Sequence, residues 1–155
     1  MRKQLLSSPE DRPPPAREID LRAVAKVYYS SEAPSHPVED MLGGATGYWS
    51  SERPNVTEEI VFEFDEPQRI TRVMFEAEER NQERTQEIRA EYSIDGGAHY
   101  RGMFVQEFNF SPGGATLQRE NLRFDLDKVT HLRLCITPHK QGGGCATLRS
   151  FRVFG

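Results

Sequence analysis

The chain has 155 residues, enough for one domain with a real core. Hydrophobic residues make up 36% and charged residues 28%, the balance of a soluble globular domain. The net charge of −4 weighs against general nucleic-acid binding, which needs surplus Lys and Arg to displace counterions; no apolar run approaches the roughly 18 residues that suggest a membrane helix.

Residues 1–18 read as a flexible, Pro-rich tail ahead of a domain over 19–155. Ser7-Ser8-Pro9 and Pro13-Pro14-Pro15 disfavour helix and sheet pairing, and the segment has little to bury. An extended arm packed on the domain is the alternative. Met1-Arg2-Lys3 is basic, but Gln4-Leu5-Leu6-Ser7-Ser8-Pro9 supplies no apolar signal-peptide core, so the expected location is cytoplasmic. Cys135 and Cys145 do not make a secreted disulfide framework. Reduced thiols are expected, with a bridge across the intervening turn as the alternative.

From about Leu21 the pattern becomes one of short strands. Val24–Tyr29 is the first candidate. Pro37–Leu42 reads as a short helical turn, because Pro37 suits a first helical position and Gly43-Gly44 would end it. Ile60, Phe62 and Phe64 alternate with Val61 and Glu63, and Ile70–Ala77 follows. Ile88, Ala90, Tyr92 and Ile94 alternate with Arg89, Glu91 and Ser93. Tyr100–Val105 comes next. Leu122, Phe124 and Leu126, then Leu132, Leu134 and Ile136, repeat the period of two, and Ala146–Phe154 closes the chain. Such alternation puts one face inward and the other toward water. Turn chemistry separates the runs at Glu66-Pro67, Asp95-Gly96-Gly97, Pro112-Gly113-Gly114 and Gln141-Gly142-Gly143-Gly144. Many short strands with such turns predict an all-β sandwich or barrel. Phe104, Phe108 and Phe110 share a parity that favours core over an exposed patch.

Three segments together resemble the discoidin, or coagulation factor 5/8 type C, domains. Tyr29-Ser30-Ser31 precedes a turn and then Gly43 through Trp49-Ser50-Ser51. Ser93-Ile94-Asp95-Gly96 matches a Ser-x-Asp-Gly turn, with Tyr100 following. Leu148-Arg149-Ser150-Phe151-Arg152-Val153-Phe154-Gly155 resembles the family's closing strand. The resemblance runs from about Val24 to Gly155. It implies a jelly-roll β-sandwich of about eight antiparallel strands in the galactose-binding-like fold, with ligand-meeting loops at one end. Many members hold a structural calcium. The acidic residues that usually serve it are replaced here by Leu42 and Ser150, and calcium wants hard oxygen ligands. No metal and no cofactor are therefore expected, although Asp40 lies nearby. Val38-Glu39-Asp40-Met41-Leu42 before Trp49 is similar to intracellular relatives such as the Doc subunit of the anaphase-promoting complex and the amino-terminal domain of the X-ray-repair scaffold protein.

The candidate ligand-binding residues are His36, Arg53, Arg80, Arg84, His139 and Lys140. All lie in loops that the implied fold gathers at one end. Sugar-binding members of the family often place Arg in this loop, because guanidinium donates forked hydrogen bonds to hydroxyl or carboxylate oxygens. The resemblance thus implies a sugar-binding role for Arg80 and Arg84, although their spacing departs from the family's paired arginines. Four glutamates within Glu78–Glu87 partly neutralise them. Tyr28, Tyr29 and Tyr48 would add an aromatic floor that suits either a sugar or a protein hot spot. Trp49 is read mainly as packing under the loops. Catalysis is not expected. Cys145 and His139 lack a third orienting group, and Cys135, Cys145, His131 and His139 have no recognised zinc spacing. The sequence thus favours a non-catalytic module that binds a protein partner through its end loops. The alternative is a carbohydrate-binding module using the same loops, and end binding to DNA is a minor third.

Overall fold

The computed structural model describes residues 1–3, 5 and 16–155. The tail motifs Ser7–Pro9 and Pro13–Pro15 lie outside the described residues. In chain order come α1 (Leu21–Val24), β1 (Ala25–Tyr29), a 3-10 turn (Val38–Met41), β2 (Trp49–Ser50), β3 (Glu58–Glu78), β4 (Arg84–Ser93), β5 (Arg101–Phe110), β6 (Leu117–Thr137), β7 (Thr147–Leu148) and β8 (Ser150–Phe154). The fold is an all-β antiparallel sandwich, as expected. The turn at Val38–Met41 falls where Pro37–Leu42 predicted it. The single turn of α1 was not foreseen, although Asp20 caps it by accepting a hydrogen bond from the Ala23 N–H at 3.3 Å.

Two strands each join runs that the sequence reading kept apart. Glu66-Pro67 is not a hairpin turn but a bend inside β3, and Leu122–Leu126 and Leu132–Ile136 are two parts of β6. Pro67 has no N–H to donate, and the β3–β6 ladder lapses between Glu63 and Gln68 before resuming. In β6 the matching bend falls at Lys128, whose φ is 56°. Each long strand therefore serves both layers. One layer is β1, the first part of β3, the second part of β6, β4 and β5. The other is β8, the second part of β3 and the first part of β6.

The core fills the space between the layers. Phe62 of the first layer stacks on Phe151 of the second at 5.4 Å between centroids. Phe75 of the second reaches Phe104 at 4.9 Å and Phe108 at 5.6 Å in the first. Phe108 and Phe110 are buried and Phe104 packs against the same core cluster, which settles that patch as core. The described end of the predicted tail belongs to the fold. Arg17 and Gly155 exchange backbone hydrogen bonds, Ile19 donates to Val153, and Glu18 holds Arg152 through two bonds of 2.7 Å. These contacts cover the free edge of β8, a way to blunt an exposed strand.

The antiparallel register brings Tyr29, Glu58, Thr137, Arg84 and Phe110 to one end of the first layer. The loops at this end are 30–57, 79–83, 111–116 and 138–146. The Ser93–Tyr100 turn lies at the other. There the Ser93 hydroxyl, the His99 N–H and the His99 ring hold the Asp95 carboxyl well below the usual carboxylate range.

Candidate functional site

The loop end is built on the two-stranded β2–β7 ribbon, where Trp49 opposes Leu148 and Ser50 opposes Thr147. Trp49 is 0% exposed and donates its indole N–H to the Ser31 carbonyl at 3.0 Å. It is a packing residue, its one polar group satisfied. Ser30 and Ser31 fasten the same corner. The Ser30 hydroxyl donates to Glu58 and accepts from the Glu59 N–H, while Ser31 Oγ accepts from the Glu52 N–H.

A cleft of about 430 Å³ opens beside this ribbon. Thr46, Gly47, Tyr48 and Ser50 form one wall, Glu78, Glu79, Arg80 and Asn81 the other, and Thr147 and Arg149 complete it. The half-exposed Tyr48 ring stacks on His36 with centroids 3.9 Å apart and planes 19° from parallel. Glu78 receives Arg80 Nε on one oxygen and Arg149 Nη1 on the other, both at 3.1 Å. Glu79 accepts the Asn81 N–H at 3.2 Å and faces Arg84 with its second oxygen. The lining thus combines one aromatic face with amide, hydroxyl, carboxylate and guanidinium groups. A second, more open groove of about 600 Å³ lies across the 79–83 loop, lined by Glu83, Arg84, Thr85, Asn109, Phe110, Ser111, His139 and Gln141.

The six residues singled out from sequence separate. Arg80 lines the cleft and His36 backs Tyr48 there. Arg53 points elsewhere, its Nε 2.7 Å from the fully buried Glu58 carboxylate. His139 lines the second groove, where its Nδ1 accepts the Thr85 N–H at 3.1 Å, and Lys140 pairs with Glu107. Arg84 corrects a sequence expectation. It is 2% exposed, and its guanidinium is engaged by Gln86, Pro138, Cys145 and Thr147. Both terminal nitrogens of its guanidinium are engaged inside the protein.

Sequence reading missed Ser50, Asn81, Thr147 and Arg149. Arg149 sits inside the closing-strand motif, next to the buried Leu148. Both cysteines are free thiols, and burial pushes the Cys135 thiol pKa up, which suppresses its reactivity.

Residues 26–151 match the model of the F5/8 type C domain, and the chain belongs to that family. A search of curated proteins gave no significant match. Among solved structures, the chain is similar to CBM32-3 from a family 31 glycoside hydrolase of Clostridium perfringens, with TM-score 0.66, 16% identity, and 89% and 94% of the two chains covered. It is also similar to the family 32 carbohydrate-binding module of C. perfringens NanJ in complex with galactose, at TM-score 0.65 and 9% identity over 90% and 99%. A third is CpGH89CBM32-5 from C. perfringens, in complex with GalNAc-β-1,3-galactose, at TM-score 0.63 and 18% identity over 90% and 100%. At these identities the likeness establishes the fold. These neighbours are not of the intracellular branch that the Glu39–Leu42 segment suggested.

The calcium position that the family implies can be tested on the residues present. Leu42 is 2% exposed, sits in the apolar core and bridges to Phe151, and Ser150 stands in the β8 ladder opposite Glu76. Neither supplies a carboxylate. Among the described residues no group of three or more His, Cys, Asp or Glu is placed to hold a metal. The donor set does not fit calcium.

Proposed function

We propose that this module binds carbohydrate in the cleft between Tyr48 and the Glu78–Asn81 loop. One observation carries the reading: an exposed aromatic face and a ring of fixed hydrogen-bonding groups share one cleft. A sugar ring has an apolar C–H face, which suits the electron-rich face of Tyr48, and equatorial hydroxyls, which suit paired donors and acceptors. The His36 stack holds the Tyr48 ring, and the Glu78 bridge holds both guanidinium groups, so little side-chain freedom is lost on binding. Two arginines and two glutamates line the cleft, so its charge is balanced and a neutral ring is the favoured occupant. The neighbours named above, two of them in complex with galactose-containing ligands, add support for this class of ligand. Protein contact, which the sequence favoured, ranks second because its grounds lie outside the cleft.

The test is calorimetric or NMR titration with galactose, N-acetylgalactosamine and galacturonate. The reading expects millimolar or tighter binding of a neutral sugar, lost in Arg149→Ala. Failure of all three sugars to bind sinks it, as does binding that Arg149→Ala leaves untouched.

A further inference from the structure

We infer that Arg84, a residue with no access to a bound sugar, is the positioning residue of the cleft. This rests on the carbohydrate reading and adds to it. Arg84 begins β4, and its side chain is 1% exposed. Nη1 donates to the Pro138 and Cys145 carbonyls, both at 2.9 Å, and to Gln86 Oε1 at 3.1 Å. Nη2 donates to Thr147 Oγ1 at 2.8 Å. Nε lies 3.0 Å from Glu79 Oε1 but out of line for a hydrogen bond, so that contact is electrostatic. Burial lowers the guanidinium pKa and Glu79 opposes the shift; Arg stays a cation throughout.

Two of these partners, Glu79 and Thr147, stand on different segments of the cleft lining. One buried cation therefore spans from the 79–83 loop to the β2–β7 ribbon and fixes their separation. Gln86 reinforces the ribbon side, exchanging hydrogen bonds with the Thr147 backbone at 2.8 and 3.0 Å. The contact with Thr147 also sets the polarity of its hydroxyl. Thr147 Oγ1 accepts from a cation, so its own hydrogen, which meets no acceptor among the described residues, remains free to donate. Glu79, an acceptor as any carboxylate is, is held in place by the facing cation. Arg84 thereby fixes the hydroxyl of Thr147 as donor and the position of the Glu79 carboxylate. Lysine keeps the charge but has a single donor atom, and cannot reproduce a planar fork that meets five groups at once.

A double-mutant cycle on binding separates this role from simple stabilisation. Arg84→Lys, Thr147→Val, Thr147→Ser and the Arg84→Lys/Thr147→Val pair are titrated with galactose and N-acetylgalactosamine, and each variant is melted. The expected losses are about tenfold for Arg84→Lys and about tenfold for Thr147→Val, with Thr147→Ser close to the parent. The pair should lose about tenfold rather than a hundredfold, because both changes remove the same directed hydroxyl. Losses that multiply, or an Arg84→Lys protein that melts lower yet binds as the parent does, overturn the positioning role while leaving the glycan site standing. A parent protein that binds neither sugar overturns both. If Arg84→Lys does not fold, Thr147→Val decides alone: unchanged affinity removes the hydroxyl through which Arg84 acts.

Discussion

Replacing Tyr48 by alanine separates recognition from folding. The ring is 40% exposed and its packing partner is His36, so its removal takes little from the core. Losing one stacked aromatic pair at the surface costs about 1 kcal/mol of stability, on the order of 2–4 °C in Tm for a domain of this size. Binding has more to lose. Among the described residues Tyr48 is the one aromatic ring lining the cleft, and an aromatic contact to a sugar bound there would be worth about 0.5–1.5 kcal/mol beyond buried area, hence roughly a tenfold fall in affinity once the area is included. Tyr48→Phe keeps the face and should bind within about twofold of the parent, since no hydrogen bond of the Tyr48 hydroxyl enters the argument. The assay is calorimetric titration with the tightest-binding neutral sugar, paired with a thermal melt of each variant. Unchanged affinity in Tyr48→Ala would refute the stacking argument, and so would a fall in Tm of more than about 8 °C, which would make Tyr48 part of the core.

Glu58→Ala removes the buried carboxylate that holds Arg53 and Ser30. Because Arg53 can turn to water, the expected cost is about 2–3 kcal/mol, on the order of 5–10 °C in Tm by calorimetry. Glu18, held by Arg152, has a carboxyl pKa below its ordinary value of 4.5. Its contribution to stability is therefore complete above that value and is lost as pH falls through the lower folded pKa. Melts across acid pH should show Glu18→Gln losing stability at neutral pH and converging on the parent in acid; a difference that stays constant counts against the Arg152 clamp. Calcium at 1 mM should leave Tm within about 1 °C, whereas a micromolar site would add about 4 kcal/mol and raise it by several degrees.

Much of the architecture was legible because the period of two is a local signal. Ile60-Phe62-Phe64 and Leu132-Leu134-Ile136 announced inward faces that the structure keeps. What stayed hidden was non-local. Glu66-Pro67 looks like any turn dipeptide, and only pairing with β6 reveals a strand bent through two layers. The site followed the same division. The loops expected to meet at one end do lie there, and Arg80 lines the cleft, but the other candidates are dispersed around it. Arg84 and Arg80 have the same side-chain chemistry and lie in the same polar segment, yet one is in solvent and the other in the interior. No composition rule distinguishes them; the alternation of Arg84, Gln86 and Ile88, all buried, did carry the clue. Arg149 was overlooked because it lies one step out of phase with the buried Leu148, in a segment read for its strand pattern.

The most direct test is an amide-resolved NMR titration of the labelled protein with galactose and N-acetylgalactosamine. Carbohydrate binding in the cleft predicts saturable shifts at Tyr48, Ser50, Asn81 and Thr147, with the Ser93–Tyr100 turn at the opposite end unmoved. Silence with both sugars, or shifts confined to residues outside the cleft, would contradict it.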